Sequence, residues 1–408
     1  MKQKKDKWNR PLHHFTFWFL RVIVRPFLFL IYGYRTKKYQ LNKRQGYFII
    51  SNHQSLLDPL FVALSFKRPI YYVATDNLFT HKFKTFIIKS LVRPIPKRKG
   101  SIDVGCLKSC IKIAKQNQTI GIFVEGNRAY GDFQFYIDPV ITKLIRKMNL
   151  PVILYNLKGG FGVDPRWGKQ IRKGKFTGEV AKELSIDIIN SLSDEELYNI
   201  ICDTLRVYDS ESGKLYKSKK RAEYLERQFF ICPKCKKMET IYSNGNYVYC
   251  SNCDLKIEYT ENLLLKSADD NVNFTKLVDW YKFQLDFIKT YKVPEGIIFQ
   301  DSNVEIYISN TNEPRKLIQK GTLILTNKYL QCGNYRLFIE DIISLSPTGG
   351  FKMLVTTTDN NYIIKGKARF NPVKYTLLMN VLDGPINKKG GDCYYSLELF
   401  NNKISKIN

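Results

Sequence analysis

At 408 residues the chain exceeds one ordinary domain, so two or three are expected. Hydrophobic residues make up 44% and charged residues 25%, the balance of a folded protein, which argues against a disordered chain. The 65 Lys and Arg against 37 Asp and Glu leave a formal charge of +28, which implies an anionic partner: nucleic acid, anionic lipid headgroups or a phosphate-bearing substrate.

The first element is basic and aromatic. Residues 1–44 hold twelve Lys and Arg against one acid, Asp6, interleaved with Trp8, Phe15, Trp18, Phe27 and Tyr32. Arg21 and Arg25 interrupt the apolar run and Pro26 follows, so no stretch of ~18 uncharged apolar residues survives. With no small-residue cleavage site either, neither a signal peptide nor a full transmembrane span is expected. On a helix Arg21 and Arg25 share one face, while Phe17, Leu20, Val24, Leu28 and Ile31 recur three or four apart on another. That is the profile of an in-plane anchor on an anionic membrane surface over residues 1–38. The same spacing also suits a first helix packed on the core. The expected location is the cytoplasmic face of a membrane.

Residues 39–212 alternate short apolar runs with helical stretches. Runs at 47–50, 69–74, 120–124 and 151–155 read as strands, with a helix at 104–116 and a charged helix at 193–207. This pattern predicts an α/β domain with a mostly parallel sheet. Residues 213–228 read as a basic helical linker.

At 229–260 a small unit follows. Cys232 and Cys235 are separated by two residues, as are Cys250 and Cys253, with fourteen residues between the pairs. Two such knuckles point four thiolates at one ion, the signature of a structural Zn2+ ribbon. Ser243-Asn244-Gly245-Asn246 supplies a hairpin turn between them. A unit this small buries little core, so the metal must supply folding energy. Disulfides are the alternative, but the remaining cysteines show no framework. Residues 261–408 read as a helix at 274–291, strands at 304–308, 321–325, 329–333, 336–339, 352–358 and 361–365, and a helix at 372–382. Strands closed by a C-terminal helix resemble a small β-rich domain of the pleckstrin-homology (PH) or GRAM type.

Two blocks carry chemistry. His53, one of four histidines, directly follows the first strand, and Asp58 lies five residues on. Strand C-termini in open α/β sheets point into the ligand crevice. If the segment starts as a loop and turns into a helix, Asp58 can fold back onto the imidazole, fix its tautomer and support it as a base. The alternative is a capped helix start with a partly buried histidine. The second block, Phe123-Val124-Glu125-Gly126-Asn127-Arg128-Ala129, ends another strand. Gly126 permits close backbone approach, Arg128 can grip a phosphate in two parallel bonds, and Glu125 can orient Arg128 or an acceptor hydroxyl. A surface turn with an ion pair fits equally.

Together, Asn52-His53-x4-Asp58 and Phe123-x-Glu125-Gly126-x-Arg128 resemble the glycerolipid acyltransferase family that includes 1-acyl-glycerol-3-phosphate acyltransferases. Val124, Asn127 and Ala129 depart from that family's third motif, and a loose counterpart of its second lies at 93–100, with Lys97 or Arg98 placed to contact a phosphate. The resemblance covers residues 40–205. It implies acyl transfer from acyl-CoA or acyl-carrier protein to the sn-2 hydroxyl of lysophosphatidic acid, or to another lysophospholipid. His53 would be the base and Asp58 its support, with Asn52, Lys97, Arg98, Glu125, Gly126, Asn127 and Arg128 binding substrate. It implies no catalytic cofactor. A catalytically degenerate lipid sensor is the second reading. Nucleic-acid binding through the ribbon is not expected, because its lysines are partly matched by Glu239, Asp254 and Glu258.

Overall fold

The computed structural model describes residues 11–42, 44–75, 93–97, 103–128, 131–269, 272–310, 314–379 and 381–382. They divide into two compact units. The first comprises Met1–Ala129, Phe133–Asp164 and Lys173–Ser212; the second comprises Tyr130–Asp132, Pro165–Arg172 and Gly213–Asn408.

In the first unit, apolar runs buried on both faces build the middle of a sheet. Its strands are β1 (Tyr34–Thr36), β2 (Phe48–Ser51), β3 (Ile70–Thr75), β4 (Ile95–Lys97), β5 (Thr119–Phe123), β6 (Val152–Lys158) and β7 (Phe176–Leu184). Their order is β1-β7-β6-β2-β5-β3-β4. Every neighbouring pair is parallel except β6–β7. The sheet is therefore mostly parallel, and β2, β5, β3 and β4 all end at the same edge. Strands β1, β4 and β7 are additions to the expected set.

Helices α1 (Pro11–Tyr32), α2 (Asp58–Ala63), α3 (Val104–Ala114), α4 (Val140–Met148), α5 (Gly160–Val163), α6 (Ile186–Ser191) and α7 (Asp194–Leu205) complete the unit. Ile113 from α3, Ile141 and Ile145 from α4, and Leu197 and Ile201 from α7 share a core with Phe48, Ile50, Ile120 and Leu154 of the strands. The Asp103 side chain caps α3 by accepting the Cys106 N–H, and a Ser193–Glu196 capping box starts α7.

Helix α1 continues through Pro26 without ending there. Arg21 turns inward and donates to the Leu64 carbonyl at 3.2 Å. Much of the rest of α1 is exposed and apolar, including Phe15, Trp18, Val22, Phe27 and Leu30. By length and composition alone, the helix is long and apolar enough to cross a membrane. Residues 1–10, with their lysines, lie outside the described residues.

The second unit carries two antiparallel sheets. Strands β8 (Ile241–Asn244), β9 (Tyr247–Cys250), β10 (Lys256–Tyr259) and β11 (Leu265–Ser267) pair in the order β11-β10-β9-β8. Helix α8 (Leu277–Thr290) precedes seven strands, β12 (Ile297–Ile308), β13 (Lys316–Thr326), β14 (Tyr329–Cys332), β15 (Tyr335–Phe338), β16 (Ile342–Thr348), β17 (Lys352–Thr357) and β18 (Asn361–Lys365). Their order is β15-β14-β13-β12-β18-β17-β16, so the long β12 joins a four-stranded meander to a three-stranded one. Helix α9 (Pro372–Leu378) follows. The C-terminal half is β-rich, as expected.

One expectation fails locally. The basic segment 214–227 is not a helix. It is irregular, with one 3-10 turn at Leu225–Arg227, and Tyr216, Ala222 and Leu225 are buried. Arg221 explains the departure. Its guanidinium donates to the carbonyls of Tyr259 and Ser218 and pairs with Glu258, contacts that hold the backbone open.

Candidate active site

His53 follows β2, the strand between β5 and β6, and faces the edge where the parallel strands end. Residues 52–54 form a loop and Asp58 is the first residue of α2, so the chain doubles back. His53 Nδ1 lies 2.7 Å from Asp58 Oδ2. The same oxygen accepts the N–H groups of Gln54 at 2.6 Å and Ser55 at 2.9 Å. Asp58 is fully buried, and its Oδ1 has no hydrogen-bond partner among the described residues. A carboxylate held this way accepts from Nδ1–H and leaves Nε2 as the imidazole's basic atom.

The His53 ring stacks on Phe123, centroids 4.6 Å apart, and Phe123 stacks on Tyr72 at 5.7 Å. These rings support one side of the imidazole. Tyr72 is a contact that sequence reasoning missed, because nothing in a strand's apolar run marks which aromatic backs a distant loop.

Glu125 joins the two motifs. Its Oε1 accepts the backbone N–H of His53 at 3.1 Å, and its Oε2 accepts that of Phe135 at 3.2 Å. Burial pushes its carboxyl up to about 8, against the opposing pull of those two N–H donors. The expectation that Glu125 orients Arg128 is corrected: among the described residues, the carboxylate beside Arg128 is Asp164, 3.7 Å from Nη2. Asp164 Oδ2 also accepts the Ser55 hydroxyl at 3.1 Å, tying Arg128 to the His53–Asp58 loop. No motif in the sequence singled out Asp164.

The other anticipated residues divide. Gly126 has φ +64°, a conformation that glycine adopts without steric cost, and it turns the chain beyond β5. Asn127 Oδ1 accepts the Arg128 N–H at 3.1 Å and shapes the same turn. The Asn52 amide is held at both ends by Leu157, donating to its carbonyl at 2.9 Å and accepting its N–H at 2.8 Å, and the residue is buried. Lys97 is exposed at the end of β4, on the same edge of the sheet but two strands beyond β5, roughly 10 Å at normal strand spacing. Arg98 lies outside the described residues.

In the second unit, Cys232, Cys235, Cys250 and Cys253 converge, with all four sulfurs within 4.8 Å of one another. Cys232 and Cys253 sulfurs are 3.7 Å apart, as are those of Cys235 and Cys250. A tetrahedron with Zn–S bonds of ~2.3 Å has edges of roughly 3.8 Å, whereas a disulfide bond is ~2.05 Å. Backbone N–H groups of Cys235 and Asn252 point at the Cys232 and Cys250 sulfurs, at 3.5 and 3.3 Å, as thiolate ligands require. The four thiols can hold one metal ion.

Comparison with known proteins finds one matching family model. Residues 35–155 match the family model described as Acyltransferase, a stretch that runs from β1 into β6 and includes His53, Asp58 and 125–128. This stretch, almost all within the first unit, is similar to an acyltransferase domain. Among solved structures, the chain is similar to the 1-acyl-sn-glycerophosphate (LPA) acyltransferase PlsC from Thermotoga maritima. The identity is 17%, over 48% of this chain and 92% of that one, with a TM-score of 0.36. No curated protein matches. The four cysteines and the C-terminal sheets lie outside the matched residues.

Proposed function

We propose that this protein transfers a fatty-acyl group from acyl-CoA or acyl-carrier protein to the sn-2 hydroxyl of lysophosphatidic acid at a membrane surface. The observation that carries this reading is the 2.7 Å contact between His53 and buried Asp58, inside the acyltransferase-matched stretch. His53 Nε2 takes the proton of the acceptor hydroxyl as its oxygen attacks the thioester carbonyl. Asp58 steadies the resulting imidazolium. Collapse of the tetrahedral intermediate breaks the C–S bond, and the departing thiolate recovers the proton from His53, so no external base or cofactor is consumed. Glu125 and Asn52 act through the backbone, positioning the loop that presents His53. Arg128, with Lys97 or Arg98, holds the acceptor phosphate. Helix α1 lays its apolar surface in the bilayer and places the site where both acyl chains reside.

The test is acyl transfer from labelled acyl-CoA and acyl-carrier protein to a panel of lysolipids in liposomes. Product on lysophosphatidic acid that vanishes in His53→Ala supports the full reading. Product on a different lysolipid keeps the chemistry and moves the specificity. Absence of product with every pair, while liposomes are still bound, favours the lipid-sensing reading, with the PH/GRAM-like sheets of the second unit as the sensor.

The four cysteines are proposed to hold structural Zn2+. The ion would cross-link the loop at Cys232–Cys235 to the end of β9, in a region of short strands with little apolar core of its own. It takes no part in acyl transfer.

A further inference from the structure

Two aromatic rings on one face of the first sheet lead to the imidazole. Tyr72 of β3 is paired with Gly121 of β5, and Ser51 of β2 with Phe123 of β5. Side chains of paired residues share a face, and so do those two apart along a strand. Tyr72, Gly121, Phe123 and Ser51 therefore stand on one side, with Ser51 two residues before His53. Gly121 leaves its place on that face open. A Cβ there would lie 2.5 Å from Tyr72 Cε1, so the Tyr72 ring lies across the glycine. From there it reaches Phe123, centroids 5.7 Å apart and planes 11° from parallel. Phe123 in turn covers His53 at 4.6 Å and 27°.

The two rings differ in freedom. Phe123 is half-buried at the last position of β5, whereas Tyr72 is 6% exposed inside β3. Tyr72 is thus the fixed member of the stack, and Phe123 is the one that needs support. The Tyr72 hydroxyl is buried and has no hydrogen-bond partner among the described residues, so the position uses the ring and not the oxygen. What the rings offer is electrostatic. The hydrogen bonds of His53 go to Asp58 at Nδ1 and to Glu125 at the backbone N–H, which leaves a ring face to Phe123. An aromatic face attracts a cation within about 6 Å of its centroid, more strongly where water is excluded. Neutral imidazole gains little from that face, whereas imidazolium gains the full attraction. The contact therefore favours the charged state that forms during the reaction over the resting one.

We propose, on the acyl-transfer reading above, that Tyr72 is a positioning residue: lying across Gly121, its ring holds Phe123 flat on the His53 imidazole, and the Phe123 face stabilises the imidazolium that forms when His53 takes the acceptor's proton. The proton still passes from the hydroxyl to Nε2 and on to the departing thiolate. Tyr72 exchanges no proton itself and acts through Phe123.

The test is steady-state acyl transfer in liposomes by the full chain across pH, for wild type, Tyr72→Leu, Tyr72→Phe, Phe123→Leu and the Tyr72→Leu/Phe123→Leu double variant. Thermal melts confirm that each variant folds; where Tyr72→Leu does not, Gly121→Ala displaces the same ring and takes its place. We expect Phe123→Leu to lower kcat about tenfold, the scale of a lost cation–π contact, with KM within about twofold. Tyr72→Leu should lose a large part of the same factor. The double variant should lose no more than Phe123→Leu alone, since both act through one contact. In the leucine variants the acid limb of kcat/KM should move to lower pH by about half a unit or more, because a less stabilised imidazolium releases its proton at lower pH. Tyr72→Phe should rescue both the rate and the limb. A Tyr72→Leu enzyme with wild-type kcat and acid limb overturns the proposal while leaving acyl transfer standing. So do losses that multiply in the double variant, or a Tyr72→Phe enzyme as slow as Tyr72→Leu. A change carried by KM alone also overturns it, since Tyr72, which lines an apolar cavity between α1 and β3, would then be a substrate contact. A wild type that transfers no acyl group with any donor and acceptor overturns both this role and the reaction it serves.

Discussion

Glu125, beyond the end of β5, accepts the backbone N–H of His53, beyond the end of β2, at 3.1 Å. Two motifs separated by seventy-two positions are thereby locked into one edge of the sheet. The link runs through the backbone of His53, so Glu125 sets where the imidazole stands rather than its protonation. Because Glu125 is buried, losing its proton carries a cost that is visible in stability.

The sign of that cost follows from linkage. Its carboxyl is raised from 4.5 to about 8 by burial, so between those values the folded state keeps a proton that the unfolded state loses. Glu125 therefore lowers stability progressively as pH rises through this window and adds no further change above it. Denaturant midpoints for wild type and Glu125→Gln across the window should converge as pH rises, since glutamine has no proton to lose. The variant should also be less stable at the acid end by about 1–3 kcal/mol, because its amide presents one acceptor to two N–H donors. Parallel midpoints at every pH would show that Glu125 keeps an ordinary carboxyl.

The catalytic reading separates His53 from Asp58. His53→Ala removes the base and should lower kcat by about 10²–10⁴-fold. Asp58→Asn keeps the shape, but only one of its two polar atoms is an acceptor, and the Oδ2 position must serve His53, Gln54 and Ser55 together. With oxygen at that position, the NH₂ falls where Oδ1 has no partner. The variant should lose activity on a similar scale and also lose ~1–3 kcal/mol of stability from the buried unpaired donor. Steady-state rates in liposomes and a urea melt distinguish the two; an Asp58→Asn enzyme with full kcat would remove Asp58 from the mechanism.

The sequence revealed the middle of the first sheet because β2, β5 and β6 are buried on both faces and read as unbroken apolar runs. Marginal strands were hidden for specific reasons. β7 carries Glu179, Lys182 and Glu183, all exposed, and three successive exposed residues at 181–183 mask its strand alternation. β4 and β16 contain Pro96 and Pro347, which argue against strands except at sheet edges, and both strands lie at edges. Segment 214–227 looked helical because lysine-rich stretches favour helix, but the contacts of Arg221 override that preference. In the site, spacing showed His53, Asp58, Glu125 and Arg128. It could not show Asp164, whose partners Ser55 and Arg128 come near only after folding.

The four-cysteine cluster makes a prediction independent of acyl transfer. Metal analysis of purified protein should find one zinc per chain. Cys250→Ser should release it, and so should chelation after denaturation. Metal loss should lower the melting temperature of the second unit, since the ion bridges Cys232–Cys235 and β9 where short strands bury little. Acyl transfer in the first unit should persist in the folded protein at permissive temperature. Protein that carries no zinc yet melts as the wild type does would exclude a structural metal.

Helix α1 tests the membrane reading. Phe15, Trp18 and Val22 lie three and four positions apart on one face and are 61%, 58% and 55% exposed. In water that face is exposed, whereas burying its apolar surface in a bilayer is favourable by ~25 cal/mol per Å². Arg21 turns in toward the Leu64 carbonyl, whereas Arg25, three positions beyond Val22, is exposed beside that face. Trp18→Asp with Val22→Asp should therefore cut liposome partitioning by more than about tenfold, since a fully buried large apolar side chain contributes roughly 1.5–3 kcal/mol. The loss should hold at high salt, where attraction between the basic chain and anionic lipid is screened. Wild-type Trp18 emission should shift to the blue when liposomes are added. If partitioning is unchanged in the double variant and falls only with salt, the helix contributes charge rather than apolar insertion, and its exposed face must be covered by something other than lipid.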